Sequence, residues 1–140
     1  VVVIHDAVRP FIDSETISQA IELTRLHGGA VCASKATETV LYQSECQSIL
    51  ERNKVSFARA PQAFKLSDLL KAHHAAHAAG YFDFLDSLSL MTEYDVHPIF
   101  FEGPAHNIKI TTDADIKFAA GFFSSVRFGG PWGCVVIVAY

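Results

Sequence analysis

Cysteine is scarce in these 140 residues: Cys32, Cys46 and Cys134 stand far apart, and no CxxC pair exists. That spacing supports neither a zinc knuckle nor a disulfide framework, and isolated thiols fit a reducing cytosol, so a cytoplasmic location is expected. Positive charge is not in excess either. Eleven Lys and Arg against 15 Asp and Glu leave a net charge of −4. No basic field invites DNA or RNA, so an anionic ligand has to be held by a few local cations. Long apolar runs are missing as well. The longest near the C-terminus, residues 134–140, falls far short of the roughly 20 residues that cross a bilayer. The opening VVVIHDAVRPF has no basic stretch ahead of an apolar one, so this segment is not expected to act as a signal peptide. Neither a membrane nor a nucleic-acid partner is expected.

What remains is 50% hydrophobic and 19% charged, the balance of one folded globular domain. Residues 1–5 form a β-branched run, as in a strand covered on both faces of a parallel sheet. Ser14 is placed to cap a helix carrying Ile17, Ala20, Ile21 and Thr24, with Gly28 and Gly29 ending it. A second strand over residues 30–34 completes a strand–helix–strand order, which predicts a right-handed crossover. Residues 38–59 then hold two extended pieces, ETVLY and KVSFAR, around a polar stretch. They lack the apolar residues for a core of their own and read as a projecting β-arm. Ser67 is placed to cap an Ala-rich helix stopped at Gly80, and Asp86 to start a shorter one through Met91. A strand over 97–102, an extended piece over 107–111 and a helix capped by Thr112 complete an α/β alternation.

Chemistry has few places to sit. Asp6 and Arg9 follow the first strand directly, and open α/β sheets collect ligands beyond the carboxyl ends of their strands. A carboxylate there suits a hydroxyl or a metal ion, and a guanidinium suits phosphate. A pair that merely fixes the loop accounts for the same residues. Lys109 alternates away from Ile108 and Ile110, which places it on the opposite face of an extended segment, where solvation alone would also explain it. Arg52 and Arg59 are the guanidiniums of the proposed arm. They either solubilise it or, if it docks on a second subunit, reach that subunit's phosphate site. His73 and His77 share a helix face. No HExxH pattern or third ligand accompanies them, so ordinary surface imidazoles are the simpler reading.

Taken in order, HDAVRPF, ETVL, ERN, APQAF, LDSLSLM and EGPAHNIKITTDADI resemble the blocks of the family that comprises 2-C-methyl-D-erythritol 4-phosphate cytidylyltransferase and ribitol-5-phosphate cytidylyltransferase. The resemblance spans residues 1–123, with the arm at about 38–59; residues 124–140 match nothing in the family and stand as an unassigned tail. It implies a Rossmann-like, three-layer nucleotidyltransferase fold and transfer of CMP from CTP to a sugar-alcohol phosphate, with Mg²⁺ as cofactor. It implies that Asp6 and Arg9 line the substrate pocket, Asp6 near the metal-bound triphosphate. It implies that Thr39 and Arg52 lie on a homodimer arm and meet the acceptor phosphate, Arg52 across the subunit boundary. Lys109, by the same resemblance, positions that phosphate for attack.

Three departures shape the expectation. The family's Gly-rich CTP loop should precede Val1, so the chain resembles a family member truncated at its N-terminus, expected on its own to hold CTP poorly. A non-catalytic fragment or dimerisation remnant is the alternative. Ala60 stands where many members carry Thr, which removes one hydroxyl contact. DSLSLMTEY, in place of a TDEAS-like stretch, leans toward ribitol 5-phosphate over methylerythritol 4-phosphate as acceptor.

Overall fold

The computed structural model describes residues 1–45 and 47–125, the last three as backbone. Cys46, Cys134 and residues 126–140 of the unassigned tail therefore lie outside the described residues.

The opening β-branched run forms β1 (Val2–Ile4), and Gly29–Lys35 forms β2. They are not neighbours. β5 (Ser56–Phe64) lies between them, antiparallel to both, and β6 (Ile99–Glu102) pairs parallel with β2, giving the order β1-β5-β2-β6. The expected parallel partner for β1 is thus replaced by β5, with Val2 opposite Phe64 and Ile4 opposite Gln62. Cover on both faces does hold: Val2 and Ile4 pack with one core cluster and Val3 with the other.

Strand alternation sorts side chains into two cores. Val31 and Phe64 face α2 (Leu66–Ala78) and α3 (Ser87–Glu93), joining Leu69, Ala72, Ala76, Leu90 and Met91. Ala30, Cys32 and Ala63 face α1 (Ser14–His27) and meet Ala20 and Phe101. The result is three layers. Full burial of a side chain such as Phe64 contributes about 1.5–3 kcal/mol. Thr24, wholly buried on α1, turns its hydroxyl to the carbonyls of Ala20 (2.7 Å) and Ala63 (3.1 Å), tying helix to sheet.

Several boundaries differ from expectation. Asp13, one residue ahead of Ser14, caps α1 by accepting from the Thr16 N–H at 2.7 Å, because its extended backbone aims the carboxylate at the free amides. Lys65 precedes α2 with no side-chain cap, and Ser67 sits inside the first turn, bonded to Asp68. Asp86 caps α3 as expected, in a reciprocal box with Ser89. The arm is shorter than predicted. β3 (Val40–Tyr42) and β4 (Ser48–Leu50) form a separate two-stranded sheet, followed by a 3-10 turn at Arg52–Lys54. KVSFAR instead enters β5, where Phe57 opposes Ser34 and Ala58 opposes Ala33. Residues 107–111 form no strand.

α4 (Asp113–Ser125) begins where Thr112 predicted and carries Phe122 edge-on to Phe11, ring centroids 4.8 Å apart. Asp115 Oδ2 accepts the N–H groups of Thr111 and Thr112 at 2.9 and 2.8 Å and both their hydroxyls, while Thr112 Oγ1 accepts the Asp115 N–H at 3.3 Å. Those bonds, the two N–H groups foremost, hold the Asp115 carboxyl below its ordinary value of 3.8. A depressed folded value means the contribution is complete above 3.8 and is lost as pH falls through the lower folded value. Asp115→Asn is therefore expected to lower Tm at neutral pH, and the gap from the parent should close in acid. A gap that stays constant in Tm measurements down through that range would exclude the carboxylate as its source.

Gly103 donates its N–H to Ala33 O at 3.0 Å, and a Cβ there would collide with Cys32 Sγ. Gly103→Ala is expected to cost about 1–3 kcal/mol in urea denaturation. Cys32→Ala in the same chain should recover part of that loss. Strictly additive costs would show that the two sites do not collide.

Candidate functional site

The carboxyl ends of the parallel strands β1, β2 and β6 share one side of the sheet. β1 gives way there to a tight turn, in which the Arg9 N–H donates to Asp6 O at 3.0 Å. His5, 3% exposed, bonds Arg9 O through Nε2 at 3.0 Å. A carbonyl only accepts, so the imidazole carries its proton on Nε2, and among the described residues the buried Nδ1 has no partner.

Arg9 spans the turn and reaches a distant segment. Its Nε donates to Asp6 Oδ2 at 3.0 Å and its Nη1 to Asn107 O at 3.0 Å, with 10% of the side chain exposed. The Ile110 N–H donates to Val8 O at 2.8 Å. Residues 107–110 are thereby laid along the Asp6–Arg9 turn, which brings Lys109 Nζ to 3.7 Å from Asp6 Oδ2. The structure thus gathers three of the residues singled out from sequence, Asp6, Arg9 and Lys109. The two cations differ in freedom. Arg9 is almost enclosed, whereas Lys109 is half exposed and its ion pair is long. Exposed pairs of that kind contribute about 0–1 kcal/mol, so a phosphate can redirect the ammonium at little cost.

Thr39 and Arg52 lie elsewhere. Both are exposed at the base of the β3–β4 arm, where Arg52 Nη1 donates to Thr37 O at 3.0 Å. Among the described residues no contact within the chain joins either to Asp6, Arg9 or Lys109. Leu41, Tyr42 and Ile49 of the arm are 60, 56 and 72% exposed.

Two residues that hold the site together were missed from sequence. Asn107 is wholly buried, and its Nδ2 donates to Ala60 O at 2.8 Å while its backbone carbonyl receives Arg9. It lies in the NIKIT block, yet a single Asn carries no sign that its amide is interior. Gln62 bonds Asp86 Oδ2 at 2.7 Å through Nε2 and accepts the Leu88 N–H at 2.9 Å, locking α3 onto β5. Asp13 also meets His106 at 3.3 Å. Burial pushes the Asp13 carboxyl up, but the Thr16 hydroxyl and N–H, with His106 beside it, outweigh that and hold it below its ordinary value. Burial raises the Cys32 thiol against the opposing charges of Arg59 and Arg9.

For a metal, Asp6 offers the relevant carboxylate. Arg9 and Lys109 both engage Oδ2, and no bond among the described residues occupies Oδ1. Mg²⁺ is commonly held by one or two carboxylates together with substrate phosphates and water, a set Asp6 fits. Among the described residues no three His, Cys, Asp or Glu converge to make a protein-only cage. His73, His74 and His77 instead line a cavity of about 390 Å³ beside Tyr81, Phe82 and Leu85, and His77 packs edge-on to Phe82. No described helix is long and apolar enough to cross a membrane.

The family model described as 2-C-methyl-D-erythritol 4-phosphate cytidylyltransferase (IspD) matches residues 1–125. A ribitol-5-phosphate cytidylyltransferase of Streptococcus agalactiae serotype V is 41% identical over 118 residues, covering 82% of this chain and 49% of that protein. A 2-C-methyl-D-erythritol 4-phosphate cytidylyltransferase of Bacillus licheniformis is 36% identical over 128 residues, covering 90% of this chain and 55% of its own. Among solved structures, the Francisella tularensis 2-C-methyl-D-erythritol 4-phosphate cytidylyltransferase aligns with a TM-score of 0.73 at 28% identity, over 85% of this chain and 57% of that one. The Thermus thermophilus enzyme aligns with a TM-score of 0.77 at 24% identity, over 86% and 60% of the two chains, a likeness of fold. The chain spans about half the length of the curated relatives it matches. It belongs to the IspD family of cytidylyltransferases.

Proposed function

We propose that these residues form the acceptor side of a cytidylyltransferase that moves CMP from CTP to a sugar-alcohol phosphate. The observation that carries the reading is the Asp6–Arg9–Lys109 cluster at the carboxyl ends of the parallel strands. In this reading an oxygen of the acceptor phosphate attacks the α-phosphorus of CTP. The bond from that phosphorus to the bridging oxygen breaks, and pyrophosphate leaves. The protein forms no covalent bond; it positions the reactants and stabilises charge. Lys109 swings from Asp6 to the acceptor phosphate. Arg9, fixed by Asp6 and Asn107, presents a rigid positive wall to the same pocket. Mg²⁺ held through Asp6 Oδ1 would neutralise charge on the triphosphate.

Ribitol 5-phosphate is the acceptor we favour. The ribitol-named relative shares 41% identity where the methylerythritol-named ones share 33 and 36%. The arm completes the site in a homodimer. Its exposed Leu41, Tyr42 and Ile49 bury against a second copy, and Arg52 with Thr39 reaches the partner's acceptor phosphate.

In a polypeptide of the family's full length carrying these residues, Lys109→Ala and Arg52→Ala are each expected to lower kcat/KM for ribitol 5-phosphate by about ten- to a hundred-fold. That range follows from loss of one charge-assisted hydrogen bond of roughly 1.5–3 kcal/mol. Dependence on CTP should change much less. Mixing Arg52→Ala subunits with Asp6→Ala subunits should restore activity through heterodimers with one intact composite site. Steady-state kinetics in which both variants weaken mainly CTP, or mixtures that stay inactive, would overturn these roles.

A further inference from the structure

Arg59 has been accounted for so far only by its charge. The sequence placed it on the arm, but the structure places it in β5, within the main sheet of its own subunit. It sits at an irregularity. Val31 opposes Gln62 and Ala33 opposes Ala58, so Cys32 alone faces the three residues from Arg59 to Pro61. Such bulges re-aim side chains and are common beside active sites. The next residue, Ala60, gives its carbonyl to Asn107 Nδ2 at 2.8 Å, and the Asn107 carbonyl takes Arg9 Nη1 at 3.0 Å. The Arg59 backbone is therefore joined to Arg9 by one peptide and two hydrogen bonds. Its charge and that of Arg9 act together on the same buried Cys32 thiol, opposing the upward push of burial.

Its partners set it apart from its neighbours. Arg9 and Lys109 both meet Asp6, and Lys35 and Lys54 meet Glu102 and Glu51. The half-buried side chain of Arg59 has no hydrogen bond or ion pair among the described residues. Partial burial of a guanidinium without an anion is unfavourable, and a bound anion would relieve it. The planar fork suits the paired oxygens of a phosphate monoester.

We propose that Arg59 binds a substrate phosphate in the site of its own subunit, a third cation beside Arg9 and Lys109. The inference rests on the transferase reading for the identity of the substrate, but phosphate binding can be measured without turnover. The 140-residue chain and its Arg59→Gln and Arg59→Lys variants would be titrated with inorganic phosphate, ribitol 5-phosphate and CTP by calorimetry, with Tm as the folding control. Arg59→Gln should weaken phosphate binding about tenfold or more, the loss of one charge-assisted fork. Arg59→Lys should recover part of it. A loss in the ribitol 5-phosphate arm assigns the acceptor's phosphate, and a loss confined to CTP assigns the nucleotide's; either supports the site. Equal phosphate binding by parent and Arg59→Gln, or none by the parent, overturns it. If Arg59→Gln fails to fold, undiminished phosphate affinity in Arg59→Lys overturns it too, since a point charge cannot replace a bidentate fork at full strength. In the full-length enzyme, unchanged KM values in Arg59→Gln would remove this inference and leave the transferase reading intact. Lost phosphate binding in a protein that never transfers CMP would do the reverse.

Discussion

Arg9 and Asn107 are 98 residues apart in sequence, and the bond from Arg9 Nη1 to the Asn107 carbonyl brings the two ends of the site together. Around that bond the turn after β1, the central strand β5 and the segment carrying Lys109 become one unit. Asn107 supplies the second arm of the clamp through Ala60 O. Both residues are nearly or wholly enclosed, so these polar groups cannot exchange their partners for water. Removing one would leave the other desolvated and unmade, a larger loss than the net value of the bond itself. The site is thus rigid at its base, where packing and hydrogen bonds agree, and adjustable at Lys109.

That division between a fixed and a movable cation is chemically useful. A site that must receive an anionic acceptor needs positive charge without an excessive cost in the empty state. Asp6 moderates both cations through one oxygen, and its other oxygen faces no competing donor among the described residues. Under the proposed function, an arriving phosphate would cost Lys109 little in leaving Asp6, while Arg9 would stay where Asn107 holds it. Preorganised charge of this kind favours the transition state more than the resting substrate.

The sequence made the layers legible because periodicity is a local property. The continuous run of small and apolar residues in β2, buried from residue 29 to 33, and the helical spacing of Ala20 and Thr24 report their own burial. Strand order is not local. Nothing in VVVI distinguishes a parallel neighbour from the antiparallel β5, since both faces are covered either way. KVSFAR reads as arm for a related reason: the segment holds too few apolar residues for a core of its own, yet its backbone pairs with β2 at the sheet's outer end. Asp6, Arg9 and Lys109 were visible through family blocks, whereas the amide of Asn107 and the bridge made by Gln62 were not. A buried polar side chain reveals itself only once its partners are in place.

The position of β5 also explains why this one strand carries so much of the site. It runs antiparallel between β1 and β2, so it enters from the side where both of those strands end. Its first half therefore passes the turn of Asp6 and Arg9 on one flank and the end of β2, residues 33–35, on the other. A regular ladder would present every second residue to a helix layer. The irregularity at Arg59 to Pro61 interrupts that alternation at the level of the cluster and frees Ala60 O for Asn107. Gln62, two residues on, fastens α3 through Asp86 and Leu88. Within four residues, one strand thus anchors the cation cluster and the helix α3. A change in the register of β5 would therefore disturb both together, although neither Asp6 nor Lys109 belongs to it.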